Sequence, residues 1–110
     1  MNWKELTQIE QLDTVKNESN QQTIMLFKHS TRCSISSMAK NRLERAWDFE
    51  DAQIKPYYLD LIAHRDVSNA IADQFGIQHE SPQVLLIKNG ECVYNASHSM
   101  ITANSMADFV

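Results

Sequence analysis

The run TIMLFKH, Thr23 to His29, is apolar at both odd and even positions between polar boundaries. That pattern predicts a central strand covered on both faces. Ahead of it, Trp3, Leu6, Ile9, Leu12 and Val15 recur every three residues, and the polar NESNQQ follows. The spacing predicts a first helix along one face, closed before the strand. Beyond the strand, Ile35, Met38, Ala39, Leu43, Ala46 and Trp47 fall at helical intervals with charged residues between them. These predict a second, amphipathic helix that Ser30 or Thr31 can cap.

A second strand is expected in YYLDL, with Pro56 at its start, followed by a helix carrying Val67, Ala70, Ile71 and Phe75 on one face and ended by Gly76. VLLIKNGECVYNA then places two apolar runs around Asn89-Gly90, the strongest short-range signal for a tight hairpin. A last helix can begin at Thr102. Strands separated by helices imply right-handed parallel crossovers, and a terminal hairpin adds antiparallel strands. The expected fold is therefore α/β and thioredoxin-like, with a mixed sheet of about four strands flanked by helices.

Composition narrows the partners. With 110 residues, 43% of them hydrophobic, the chain is expected to form one domain over residues 1–110. Ten basic and fourteen acidic side chains give a net charge of -4 and no basic stripe, which argues against nucleic acid or an anionic membrane as partner. The polar start, MNWKELTQIEQLD, lacks the apolar segment of a secretory signal, and no apolar run approaches the ~20 residues that span a bilayer. A cytoplasmic, reducing location is the expectation, in which Cys33 and Cys92 do not form a permanent bridge.

The stretch KHSTRCSISSMAK sets Cys33 between the predicted strand and the predicted helix. Unpaired N–H groups and a partial positive charge at a helix N-terminus stabilise a thiolate, and Arg32, Ser34 and Ser36 are expected to assist. Ionisation alone speeds exchange only a few-fold, because a more stable thiolate is a weaker nucleophile. The remainder must come from holding a disulfide in line, a task expected of the loop residues His29 and Arg32. Three residues after Cys33, where a second cysteine would resolve a mixed disulfide, stands Ser36. A captured thiol must then wait for an external thiol or a thiol reductase.

FGIQHESPQVLLIKNGE, residues 75–91, resembles the second half of a thioredoxin. That likeness implies a cis Ser81-Pro82 bond facing Cys33, with Pro82 and the backbone of Ser81 helping to hold the disulfide in line. More specifically, KHSTRCSIS, HESPQ and NASHSMIT together resemble the monothiol bacilliredoxin family, bacterial proteins that use bacillithiol in place of glutathione. The likeness runs from about Ile24 to Thr102. The family favours Ser-Thr-x-Cys-Pro-Ile-Ser; this chain matches at Ser30, Thr31, Cys33, Ile35 and Ser36, but has Ser34 where proline is usual and so keeps an N–H. The resemblance implies a thiol-disulfide oxidoreductase that removes bacillithiol from bacillithiolated proteins. Bacillithiol would act as an exchangeable co-substrate, with no tightly bound cofactor, and His98 would matter near the site.

Other readings stand beside this one. A monothiol-glutaredoxin-like protein would hold an iron-sulfur cluster through its cysteine and an external thiol, but such proteins use Cys-Gly-Phe-Ser and this chain has Ser34-Ile35. An interaction module could keep the fold and lose the chemistry. His29, His64, His79 and His98 lack ligand spacing, so no metal is expected. Cys92 reads as a strand residue, Met25, Met38 and Met100 as core filler, and Lys28 and Lys40 as solvated cations.

Overall fold

The computed structural model describes all residues, Met1 to Val110. Strand β2 (Thr23–His29) lies at the centre of a five-stranded sheet of order β1-β3-β2-β4-β5. The strands β1 (Lys4–Glu5), β2 and β3 (Ile54–Asp60) run parallel, while β4 (Gln83–Lys88) is antiparallel to β2 and β5 (Glu91–Ser97) is antiparallel to β4. Every residue of β2 is buried, as its two-sided apolar pattern requires.

Helices α1 (Gln11–Glu18) and α3 (Arg65–Phe75) cover one face, where Leu12, Val15, Val67 and Ile71 pack against Ile24, Leu26, Leu59 and Leu85. Helix α2 (Ser34–Ala46) covers the other with Ala39 and Leu43, against Met25, Phe27, Val84 and Leu86. Each such fully buried large side chain contributes about 1.5–3 kcal/mol of transfer free energy. The parallel strands β2 and β3 thus send their following helices to opposite faces. Crevices at the carboxyl ends of strands that diverge in this way are where open α/β sheets place their sites.

The first element differs from its prediction. Trp3 packs with the α2 face and Leu6 with the opposite face, so residues 3–6 alternate as a strand does. Leu6 N–H donates to the Tyr58 carbonyl at 2.8 Å, and the added edge strand β1 raises the expected four strands to five. The helix starts only at Gln11, whose Oε1 accepts the Thr7 and Gln8 N–H groups at 2.7 and 2.9 Å. A period of three fits a helix only loosely, and here it straddles two elements.

Pro56 lies inside β3, one residue before Tyr57, where pairing with Lys4 of β1 begins. At the hairpin, Asn89 and Gly90 both have positive φ, 53° and 78°, which suits Asn-Gly, and the Asn89 N–H is tied to the Ser19 carbonyl at 2.8 Å. Gly76 ends α3 in the left-handed region at φ 68°. The closing helix expected from Thr102 is a 3₁₀ segment, Asn104–Phe109, opened by Thr102 Oγ1 accepting the Ser105 N–H; Met106 inserts into the core. Met25 is core, but Met38 and Met100 are 64% and 68% exposed. They do not fill the interior.

Candidate active site

Cys33 is the N-cap of α2, in extended conformation at φ -108° and ψ 121°, half-buried and free. Its N–H closes a turn on the Ser30 carbonyl at 3.1 Å, and its own carbonyl accepts the first intrahelical bond from Ser37 at 3.0 Å. The N–H groups of Ser34, Ile35 and Ser36 precede that bond and are the open donors of the helix mouth. Arg32 and Ser34 flank the cysteine and are both exposed. Ile35, expected on the buried stripe, is 60% exposed beside it. The inner face of α2 is instead Ser36, Ala39 and Leu43.

Ser36 is fully buried, and its hydroxyl bonds within the loop. Its Oγ accepts the Ser30 N–H at 3.0 Å and lies 2.6 Å from His29 Nδ1. Ser36 therefore braces the loop that carries Cys33. His29, expected as a loop residue reaching substrate, is the buried last residue of β2, 5% exposed. Its ring lies 5.7 Å from those of both Phe27 and Tyr58. Burial, and secondarily the charge of Lys40, hold its pKa below the usual histidine value.

The Ser81-Pro82 bond is cis. In the β2–β4 register Lys28 faces Gln83, and one further step sets buried Pro82 across from His29, beside the start of the Cys33 loop. The Ser81 hydroxyl is buried without a hydrogen-bond partner. His98 reaches the same place by its backbone. At φ 54° its N–H donates to the Pro82 carbonyl at 3.1 Å, while its imidazole is exposed.

Arg42 completes this side and was missed in the sequence, where it is one more charged residue on the outer face of α2. Its Nη2 donates to the carbonyls of His98 and Ile101 at 3.2 and 3.0 Å, and its Nε to Ile101 at 3.2 Å. Helix α2 and the cis proline are thereby joined through one short turn.

A cleft of about 450 Å³ opens along α2 from Ser37 to Lys40, between Trp3 and Tyr58 and over His29. Lys40 is not simply solvated: it pairs with Glu44 at 3.0 Å and lies over the Trp3 and Tyr58 rings. Lys28, also expected in solvent, is fully buried on the opposite face of the sheet, and burial lowers its pKa to about 8. Cys92 is half-buried, with Sγ 3.3 Å from the Tyr94 carbonyl and its thiol pushed up by burial. That environment suppresses thiolate chemistry there.

The chain and its fold are similar to known proteins. A sequence model described as monothiol bacilliredoxin BrxC matches residues 4–106. A solved structure described as a candidate oxidoreductase with a thioredoxin fold is 31% identical, with a TM-score of 0.81 over 96% of this chain and 91% of the other. The thioredoxins of Malassezia sympodialis (12% identical, TM-score 0.73, 98% and 86% of the two chains) and Fasciola hepatica (15%, 0.70, 96% and 93%) share the fold. With the family pattern matched over nearly its whole length and the cysteine set at the mouth of α2 in a thioredoxin fold, the chain belongs to the monothiol bacilliredoxin family.

Proposed function

We propose that the protein removes bacillithiol from protein mixed disulfides, with Cys33 as the only exchanging thiol. The observation that supports this most directly is a free, half-exposed cysteine at the N-cap of α2, with Ser36 bonded to His29 at the position a resolving cysteine would need.

In the first step the Cys33 thiolate attacks the bacillithiol sulfur of a capped protein. The protein–bacillithiol S–S bond breaks, a Cys33–bacillithiol S–S bond forms, and the protein sulfur leaves as a thiolate that takes a proton from water. In the second, an external thiolate attacks the bacillithiol sulfur on Cys33, forming a small-molecule disulfide and releasing the Cys33 thiolate. The external thiol supplies both electrons, so a thiol reductase can stand in for it, and no bound cofactor is required. The α2 mouth with Arg32 and Ser34 faces the reacting sulfurs, the Ser81-Pro82 backbone aligns them, and the cleft beside Ser37 and Lys40 has room for the rest of the small thiol.

Intact-mass measurement after incubation with oxidised bacillithiol tests this. Cys33 should gain one bacillithiol, Cys92 none, and added free thiol should reverse the gain. No adduct on Cys33, or an adduct that does not return, would overturn the proposal.

A further inference from the structure

Beneath the sheet lies a polar cluster that thiol exchange as described above does not use. Lys28 projects from β2 to the α1/α3 side, opposite Phe27 and His29, and is 0% exposed with no carboxylate within ion-pair distance. Leucine at this position would extend the apolar face of Ile24 and Leu26, whereas an ammonium group must be desolvated. Its Nζ donates to the Ser68 carbonyl of α3 at 3.2 Å and lies 3.2 Å from His79 Nδ1. The Ser68 hydroxyl lies 3.3 Å from the same nitrogen.

His79 belongs to the segment that runs from α3 into the cis Ser81-Pro82 bond. Gln83, the register partner of Lys28 on β4 and 1% exposed, grips that segment on either side of His79. Its Nε2 donates to the Gln78 carbonyl at 3.1 Å and its Oε1 accepts the Glu80 N–H at 3.3 Å. Two facing buried side chains thus hold three consecutive residues ahead of the proline.

We propose that Lys28 and His79 are positioning residues, a buried donor and a surface acceptor that fix residues 78–80 and so the placement of Pro82 at the start of the Cys33 loop. This rests on the exchange reading given above. To accept from an ammonium group, His79 must be neutral and protonated on Nε2. The imidazole is exposed to water on its other side, so acid can convert it to a cation that repels Lys28. The charges facing it are Lys28 from β2, Arg65 from the start of α3 and Glu80 from the loop itself; the first two disfavour protonation and the third favours it. Lys28 itself is flanked in the sheet by Leu59 and Gln83, neither of them charged. Acidification therefore loosens the proline segment as well as protonating the thiol.

The experiment separates these effects by dividing the rate of exchange with a bacillithiol-capped peptide by the rate of Cys33 alkylation with iodoacetamide at each pH. In the wild type the ratio should fall several-fold as pH drops from about 7.5 to about 5, the fall beginning below the ordinary histidine value of about 6.5 because that of His79 is lowered. In Lys28→Met and in His79→Ala it should be about tenfold lower and vary less with pH, the remainder coming from the His29 brace that all variants share, with alkylation unchanged. His79→Asn keeps an acceptor near Nδ1 that cannot ionise, and should restore the ratio while reducing its variation with pH to that of the other variants.

A wild-type ratio in folded Lys28→Met overturns the inference, and so does one in His79→Ala, a surface change that bears the same test should Lys28→Met not fold. If the wild type alkylates but never exchanges, the functional reading fails instead. Amide hydrogen exchange over residues 78–83 then decides the positioning role: faster exchange in Lys28→Met supports it, and unchanged protection overturns it.

Discussion

The Ser36 hydroxyl lies 2.6 Å from His29 Nδ1 and also receives the Ser30 N–H, so the residue in the resolving position is a structural brace for the Cys33 loop. Ser36→Ala leaves a buried ring nitrogen and a backbone N–H without a partner. A loss of about 1–3 kcal/mol is expected in urea denaturation, together with faster amide exchange at Ser30.

Acid should weaken the same brace. The folded-state pKa of His29 is lowered, chiefly by burial and secondarily by Lys40, so the unfolded chain binds the proton more readily. Stability is then unaffected by this residue above about pH 6.5 and declines as pH falls from there towards the folded value. The carboxylates of Glu18 and Glu44, both lowered, add their own loss only below their ordinary range near 4.5. Denaturation midpoints at about pH 7 and 5.5 should differ in the wild type, and less so in His29→Phe.

Ser34→Pro should be tolerated. Cys33 already has the extended φ and ψ that a following proline requires, and Ser34 occupies the first helical position, where the N–H has no intrahelical partner. A gain of about 0.4–1 kcal/mol is expected from the stiffer unfolded chain. Thermal unfolding of the reduced protein measures it, and a marked loss would show that the Ser34 N–H is needed structurally.

Lys28→Met should stabilise the fold while impairing exchange. With the folded pKa lowered from 10.5 to about 8, burying the ammonium costs up to about 3 kcal/mol at neutral pH. The cost is full below pH 8 and fades as pH rises from there to about 10.5, where the amine is neutral in both states. Tyr57, Tyr58 and Cys92, all raised, work in the opposite sense at alkaline pH, but they are common to both proteins and cancel in the difference. The mutant's advantage in urea should therefore shrink between about pH 8 and 10.

Arg42→Lys should not substitute for arginine. A single ammonium group cannot reproduce the fork that spans the His98 and Ile101 carbonyls. About 1–3 kcal/mol should be lost, with hydrogen exchange accelerated first at His98, whose N–H holds Pro82.

Much of this was legible in the chain because it depends on short-range physics. The two-sided apolar pattern of Thr23–His29, the positive φ that Asn89-Gly90 and Gly76 adopt with little strain, and an isolated cysteine ahead of an amphipathic helix all follow from backbone preference and local periodicity. The position of Cys33 came with those elements, and that of Pro82 with the likeness to thioredoxins. Only tertiary structure decided which side of the sheet each side chain meets. It split Trp3 from Leu6 across two faces, left Ile35 and Met38 of α2 exposed, buried Lys28 against α3, and used the backbone of His98 rather than its ring. Those outcomes turn on strand order and on which helix covers which face, relations between residues tens of positions apart that no local periodicity encodes.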